Sequence, residues 1–293
     1  MAEEEVMTPS VPLAMEENFT HWSRFVEVPF GEDRVVSAVQ DPDSFVLGTT
    51  VWDSSKTLLK YIEQHPTVFQ KFSSVCELGA GCGGLAGIAC AINNGGLSDL
   101  VLTDIGPVIP WLKQNVRSNL TDKEYERVRV EQYAWGTPPT HLDAPFDCIL
   151  CADVVYEKDC VRPLVQSILA LSNRKTVIFL ANERRNPDVR DEFMRHLNEY
   201  FHWKEIHHDE LDSGYLKEAI EVFEMRPKKR RVPEEMAIPA DMAADADEYN
   251  PLFKGKFLNA NGGDGGNDDT GSDNDAPRHE DPFERELWKD LLG

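Results

Sequence analysis

The stretch Glu77-Leu78-Gly79-Ala80-Gly81-Cys82-Gly83-Gly84 joins two apolar runs, and it limits the fold more than any other part of the chain. Val75-Cys76-Glu77-Leu78 before it reads as a strand, and Leu85 to Ile92 after it as a helix. Glycines between them let the backbone take conformations closed to larger side chains and approach a ligand closely. The free N–H groups at the helix start suit an electron-rich group. Open α/β sheets bind their ligands at such strand-to-helix turns. Gly79, Gly81 and Gly84 also satisfy the G-x-G-x-x-G spacing of dinucleotide enzymes. The turn alone therefore leaves three readings open: a dinucleotide, another nucleoside ligand, or a tight connection with no ligand.

The alternation continues as far as Met225. Leu100-Val101-Leu102-Thr103 reads as a strand, Pro107 to Leu120 as a helix, Val128 to Tyr133 as a strand and Phe146 to Cys151 as a buried strand. A helix from about Asp159 to Leu171, a strand Thr176 to Ala181, a helix Asp188 to Phe201 and strands near Trp203 to His207 and Ala219 to Glu224 follow. Strands separated by helices predict an α/β fold with a mainly parallel sheet covered on both faces. The last two strands have only a short connection around Asp212-Ser213-Gly214 and are expected to pair antiparallel. The expectation is a seven-stranded, Rossmann-like sheet of five parallel strands plus a reversed edge, with the last strand antiparallel. Residues 20 to 64 read as a small N-terminal cap with short strands near Phe25 to Val28 and Val35 to Ala38, then a helix from about Ser54 to Gln64.

Composition changes after about residue 226, where Lys228-Lys229-Arg230-Arg231 leads into a stretch rich in Asp, Glu, Gly, Asn and Pro. Such a stretch buries too little apolar surface to offset its ordering entropy. The division read from the sequence is a disordered segment 1–19, a domain 20–226 and an acidic disordered tail 227–293. Asp281, Pro282 and the spacing of Phe283, Leu287 and Leu291 suggest a short docking helix at the end of that tail. The basic run is a candidate nuclear-entry signal or solvated charge.

With 52 acidic against 30 basic side chains, the formal charge is -22, a field that repels phosphate polymers. No nucleic-acid partner is expected, and no apolar run approaches the roughly 20 residues needed to cross a membrane. The N-terminus lacks the layout of a secretory or transit signal, and six scattered cysteines suit a reducing compartment. The chain is expected to be cytoplasmic, with nuclear entry through the basic run as an addition. Cys148 and Cys151 have C-x-x-C spacing, but residues three apart on a strand face opposite ways. His207-His208 lacks a ligand cluster, and no metal is expected. Glu183-Arg184-Arg185 reads either as part of a substrate channel or as a solvated loop.

Asp104 ends the second strand of the alternating pattern, where a carboxylate can accept hydrogen bonds from both hydroxyls of an adenosyl ribose; capping the next helix is the plainer alternative. Glu77 lies two residues before the first glycine and Asp153 ends the fourth strand. Carboxylates converging at strand ends suit a cationic ligand, such as a sulfonium, better than a pyrophosphate.

These residues resemble a known family. Glu77-x-Gly79-x-Gly81-x-Gly83, Thr103-Asp104 and Asp153-Val154-Val155-Tyr156 are similar to the seven-strand S-adenosylmethionine-dependent methyltransferases. More narrowly they resemble the lysine methyltransferases with a D-x-x-Y signature, the methyltransferase family 16 or methyltransferase-like 21 group. Gly48-Thr49-Thr50-Val51-Trp52, Asn115-Val116 with Asn119, Tyr133-Ala134-Trp135-Gly136 and Ala152 carry the likeness further, over roughly residues 20 to 225. The resemblance implies that Gly79, Ala80 and Gly81 wrap the methionine end of S-adenosylmethionine with Glu77 below them, and that Asp104 holds the ribose. It further implies that Trp135 lies along the adenine, Trp52 closes the pocket and Ala152 backs the cofactor. Asp153 and Tyr156 are the implied positioning residues for a lysine on a protein substrate, with chaperones and translation factors as the implied class of substrate and a monomer as the acting form. Helix capping by Asp153 and core packing by Tyr156, Trp52 and Trp135 are the alternatives. Val154 and Val155 replace the prolines found where related enzymes modify nucleic-acid bases. Histidine or arginine as acceptor, and a cofactor-binding scaffold working through the tail, stand as competing functions.

Overall fold

A computed structural model describes residues 20–44, 46–228 and 234–239, and every structural statement below concerns these. Of the tail, only residues 227–228 and 234–239 are among them; its remainder, including the basic run beyond Lys228 and the proposed docking helix, lies outside. An N-terminal hairpin of β1 (Phe25–Phe30) and β2 (Arg34–Val39) leads to helix α1 (Asp53–Gln64) and the single turn α2 (Pro66–Phe69). Then come β3 (Ser74–Leu78), α3 (Leu85–Asn93), β4 (Asp99–Asp104), α4 (Ile109–Asn119), α5 (Asp122–Tyr125) and β5 (Val128–Gln132). After a longer connection follow β6 (Cys148–Ala152), α6 (Lys158–Ala170), β7 (Val177–Glu183), α7 (Pro187–Tyr200), β8 (Phe201–Glu205) and β9 (Ile220–Pro227).

The sheet order is β5-β4-β3-β6-β7-β9-β8, with β3 to β7 parallel and β9 antiparallel to both of its neighbours. The last strand is reversed, as the sequence predicts, but it is not the edge: β9 inserts between β7 and β8. Ile220, Val222 and Phe223 are buried, as is Glu221 in its pairing with Arg190, which fits a place inside the sheet, while β8 carries exposed polar residues suited to a rim.

Two apolar layers cover the sheet. Leu58, Leu59 and Ile62 of α1 share one core with Leu85 and Ile88 of α3, and Val161, Leu164 and Ile168 of α6 share the other with Val189 and Leu197 of α7. Each such aliphatic side chain contributes about 2 kcal/mol on leaving water. Cys148 belongs to the first layer and Cys151 to the second, so the C-x-x-C pair is split across the sheet. All six cysteines are free and buried. No described helix is long and apolar enough to cross a membrane.

The hairpin is tied to the sheet by two asparagines of α4. Asn115 donates to the carbonyls of Val39 and Cys82 and accepts from the Val39 N–H, while Asn119 does the same with Ser37 on both sides of its peptide. The cap is thereby held against the glycine turn.

Candidate active site

The order β3-β4-β5 in one direction and β6-β7 in the other puts the switch point of the topology between β3 and β6. Because these five strands are parallel, their carboxyl ends open on one side, where α/β sheets hold their ligands. On that edge stand the glycine turn after β3, Asp104 at the end of β4, Trp135 beyond β5, Ala152-Asp153 after β6 and Glu183-Arg185 at the end of β7.

On one side of this crevice, Gly79 and Gly81 have φ of +65° and +62°. A Cβ on Gly79 would come within 2.7 Å of the Trp135 ring, so this glycine is what lets Trp135 lie against the turn. The Gly81 N–H donates to Asp104 Oδ2 at 2.8 Å, and the Ile105 N–H donates to Asp104 Oδ1 at 2.8 Å. Burial pushes the Asp104 pKa up to about 6, against the pull of these two N–H groups. A carboxylate has about four acceptor positions, so two remain for a neighbouring pair of hydroxyls. Ala80 is fixed by its N–H to the Thr103 carbonyl, 2.9 Å away. Ala152 ends β6 as a small, buried residue.

Glu77 stands beneath the glycine turn. It is 1% exposed and turned under the loop, where its carboxyl accepts from the Gly87 N–H at 2.8 Å and from Ala86 at the start of α3. Burial lifts its pKa to about 8. Glu77 therefore braces the turn from below, burial favouring its protonated form while the backbone N–H groups favour the carboxylate.

The other side of the crevice is built from charges. Asp153 has φ +57°, a left-handed conformation uncommon outside glycine. Its carboxylate receives both prongs of the Arg185 guanidinium, at 2.7 and 2.8 Å, and Arg185 also reaches Glu183 at 2.8 Å. Side-chain exposure is 2% for Asp153 and 9% for Arg185. The Arg185 guanidinium stands 4.8 Å from the centre of the Trp52 ring, whose indole N–H donates to the Leu47 carbonyl. Asp153 does not cap the following helix; Glu157 caps α6 instead. Tyr156 is half-buried, 6.3 Å from Trp135 ring to ring, and within electrostatic reach of Asp104. Burial holds its phenol well above the ordinary range, so it serves as a protonated hydrogen-bonding group.

Behind Trp52, Asp53 in the first turn of α1 pairs with Lys56 at 2.8 Å, with His21 at 3.2 Å and with Lys217. Burial alone would raise its pKa, but His21, Lys56 and Lys217 hold it well below the usual carboxylate range. Burial lowers the Lys56 pKa, with Asp53 resisting. Neither this cluster nor the Arg185 pairing is apparent from sequence alone. Its one signal is Asp53-x-x-Lys56, three apart on a helix whose face carries Leu59. Among the described residues no group of three histidine, cysteine or carboxylate side chains is placed to hold a metal ion.

These features test the implied cofactor. A glycine backbone open to an aromatic ring, a half-buried carboxylate with two spare acceptor positions and an indole edge together fit an adenosyl ligand; S-adenosylmethionine would be held by Gly79, Gly81, Asp104 and Trp135. Fold and site thus define a Rossmann-like, S-adenosylmethionine-dependent methyltransferase. A family model described as lysine methyltransferase matches residues 32–200, more than half the chain, and the chain belongs to that family. It is a protein-lysine methyltransferase. Protein N-lysine methyltransferase METTL21A of Xenopus tropicalis is 31% identical over 180 residues, covering 61% of this chain and 80% of that protein. The Mus musculus protein of the same name is 32% identical over 181 residues, with coverage of 61% and 80%. EEF1A lysine methyltransferase 3 of Mus musculus is 30% identical over 161 residues, covering 55% of this chain and 66% of that protein.

Proposed function

We propose that the crevice divides the reaction between two halves: Gly79, Ala80, Gly81, Asp104, Trp135 and Ala152 hold the methyl donor with Trp52 closing the pocket, and Asp153 and Tyr156 receive a lysine from another polypeptide. When bound, S-adenosylmethionine supplies a methyl group on a positively charged sulfur, so the group that leaves is a neutral thioether. The chain's own residues then have to place an amine in line with that methyl and keep water out. Asp153 orients the lysine nitrogen, Tyr156 borders its path as a hydrogen-bonding group, and Trp52 closes the pocket from the N-terminal side. No base of high strength is required, since the nitrogen gives its proton to water before attack.

The observation that carries this reading is the placement of Asp104 and Asp153 on either side of the β3/β6 switch point, one held by backbone N–H groups and the other by a guanidinium. One relative is named for EEF1A, which supports a translation factor as the acceptor; chaperones are the second class implied by the resemblance. In this reading residues 20–226 are the catalytic unit, working as a monomer, and buried free cysteines favour the cytoplasm. Incubation with labelled donor and a methyl-depleted lysate, followed by mass spectrometry, is the test. Label on a lysine is expected; label confined to histidine or arginine would overturn the proposal.

A further inference from the structure

The acceptor half contains a cation that the reaction so described does not use. Arg185 follows β7 and reaches back to Asp153 through two hydrogen bonds, while one of its nitrogens is shared with Glu183. Its plane is supported by the Trp52 ring. A lysine brought to Asp153 meets a buried carboxylate that also accepts from the Glu183 N–H and whose charge is partly offset by a guanidinium it shares with Glu183.

That balance bears on chemistry. A lysine nitrogen attacks only after losing its proton, and a bare carboxylate beside it favours the ammonium form, whereas a neighbouring guanidinium favours the neutral amine. The other charges around this point are held in ion pairs. Asp53 and Lys56 on α1 pair with each other, and Lys217, from the β8–β9 connection, and His21, from the cap, also hold Asp53. Glu183 at the end of β7 shares Arg185 with Asp153, Asp53 adds to the field felt by Arg185, and Asp104 and Tyr156 face the site from the donor side.

Resting on the lysine-methylation reading above, we propose that Arg185 is a positioning residue that fixes the Asp153 carboxylate and offsets its charge, so that the bound lysine sheds its proton near neutral pH. The proton goes to bulk water, and the amine then takes the methyl. The fork geometry suits arginine in particular, since a lysine at this position would keep the charge and lose the two-pronged hold.

Three substitutions separate charge from support. Arg185→Gln removes the cation, Glu183→Gln removes a competing carboxylate, and Arg185→Lys keeps the charge with poorer geometry. The acceptor is the most strongly labelled protein of a methyl-depleted lysate, used after mass spectrometry has placed the methyl on its lysine. Both kcat and KM are followed from about pH 6 to pH 10, with donor binding checked by calorimetry. In Arg185→Gln the rise of kcat with pH is expected to move up by about one pH unit, giving about tenfold lower kcat at neutral pH with KM level or reduced. Glu183→Gln is expected to move it down, and Arg185→Lys to keep the original midpoint at lower kcat. A uniform loss of kcat at every pH in Arg185→Gln, or a raised KM with unchanged kcat, would overturn the proposal. If Arg185→Gln no longer binds donor, the Glu183→Gln arm decides, and an unmoved midpoint there overturns it. Failure of the unsubstituted chain to label any lysine is a different result: it removes the lysine reading, and this inference with it.

Discussion

The two halves of the crevice treat buried carboxyl groups in opposite ways. On the glycine side, Glu77 and Asp104 are partnered by backbone N–H groups, and burial pushes their pKa values up to about 8 and about 6. On the Trp52 side, Asp53 is less exposed than Asp104, yet His21, Lys56 and Lys217 hold its pKa well below the usual carboxylate range, and Asp153 nearby is paired with Arg185. Burial sets the penalty in both; the partner decides whether the charge survives it. The donor half thus offers the remaining acceptor positions of Asp104 to hydroxyls, and the acceptor half is built from ion pairs.

Breaking a pair on the charged side should have the largest effect. Asp53→Asn leaves Lys56 buried against a neutral amide, and urea unfolding at neutral pH should show a loss of about 3 kcal/mol. A group whose folded pKa lies below its unfolded value stabilises above that unfolded value and ceases to as the pH falls. The gap between Asp53→Asn and the unsubstituted chain should therefore close as the pH drops below the ordinary value of 3.8, and a constant gap would mean that the charge is not what stabilises.

On the glycine side the effects should be smaller. Asp104→Ala removes an acceptor for two donor hydroxyls, and calorimetry should show S-adenosylmethionine binding weakened about 30-fold, or about 2 kcal/mol, with turnover recovered at saturating donor. Unchanged affinity would remove Asp104 from the donor site. Glu77→Gln should sharpen the contrast further. Glu77 holds its proton more tightly in the folded chain, so its contribution favours folding at low pH and is lost as pH rises from 4.5 toward about 8. Relative to the unsubstituted chain, the Gln variant should gain a few degrees in Tm between these limits. A difference that does not vary with pH would show that Glu77 titrates normally.

The same contrast explains what the sequence disclosed. Gly79, Gly81, Asp104 and Trp135 each lie within a few residues of a strand end, and parallel strands carry their ends to one edge without further information. Strand and helix positions follow for the same reason, since apolar periodicity is local. The Asp153–Arg185 pair instead depends on the β6–β7 register, which sets Ala152 opposite Ala181 and so brings together residues 32 apart in sequence. From sequence, Arg185 reads equally as a channel residue or a solvated loop. Lys56 and Asp53 look like an exposed helix pair until His21 and Lys217 close over them from distant segments. The place of β9 inside the sheet also rests on long-range pairing, which a short connection between β8 and β9 leaves undetermined.

Asp153→Asn, assayed for donor affinity and for lysine methylation on one acceptor protein, tests the division of the site most directly. The account predicts S-adenosylmethionine affinity within about threefold of the original and methylation lower by about 100-fold or more. Full turnover, or a loss of affinity in step with the loss of rate, would contradict it.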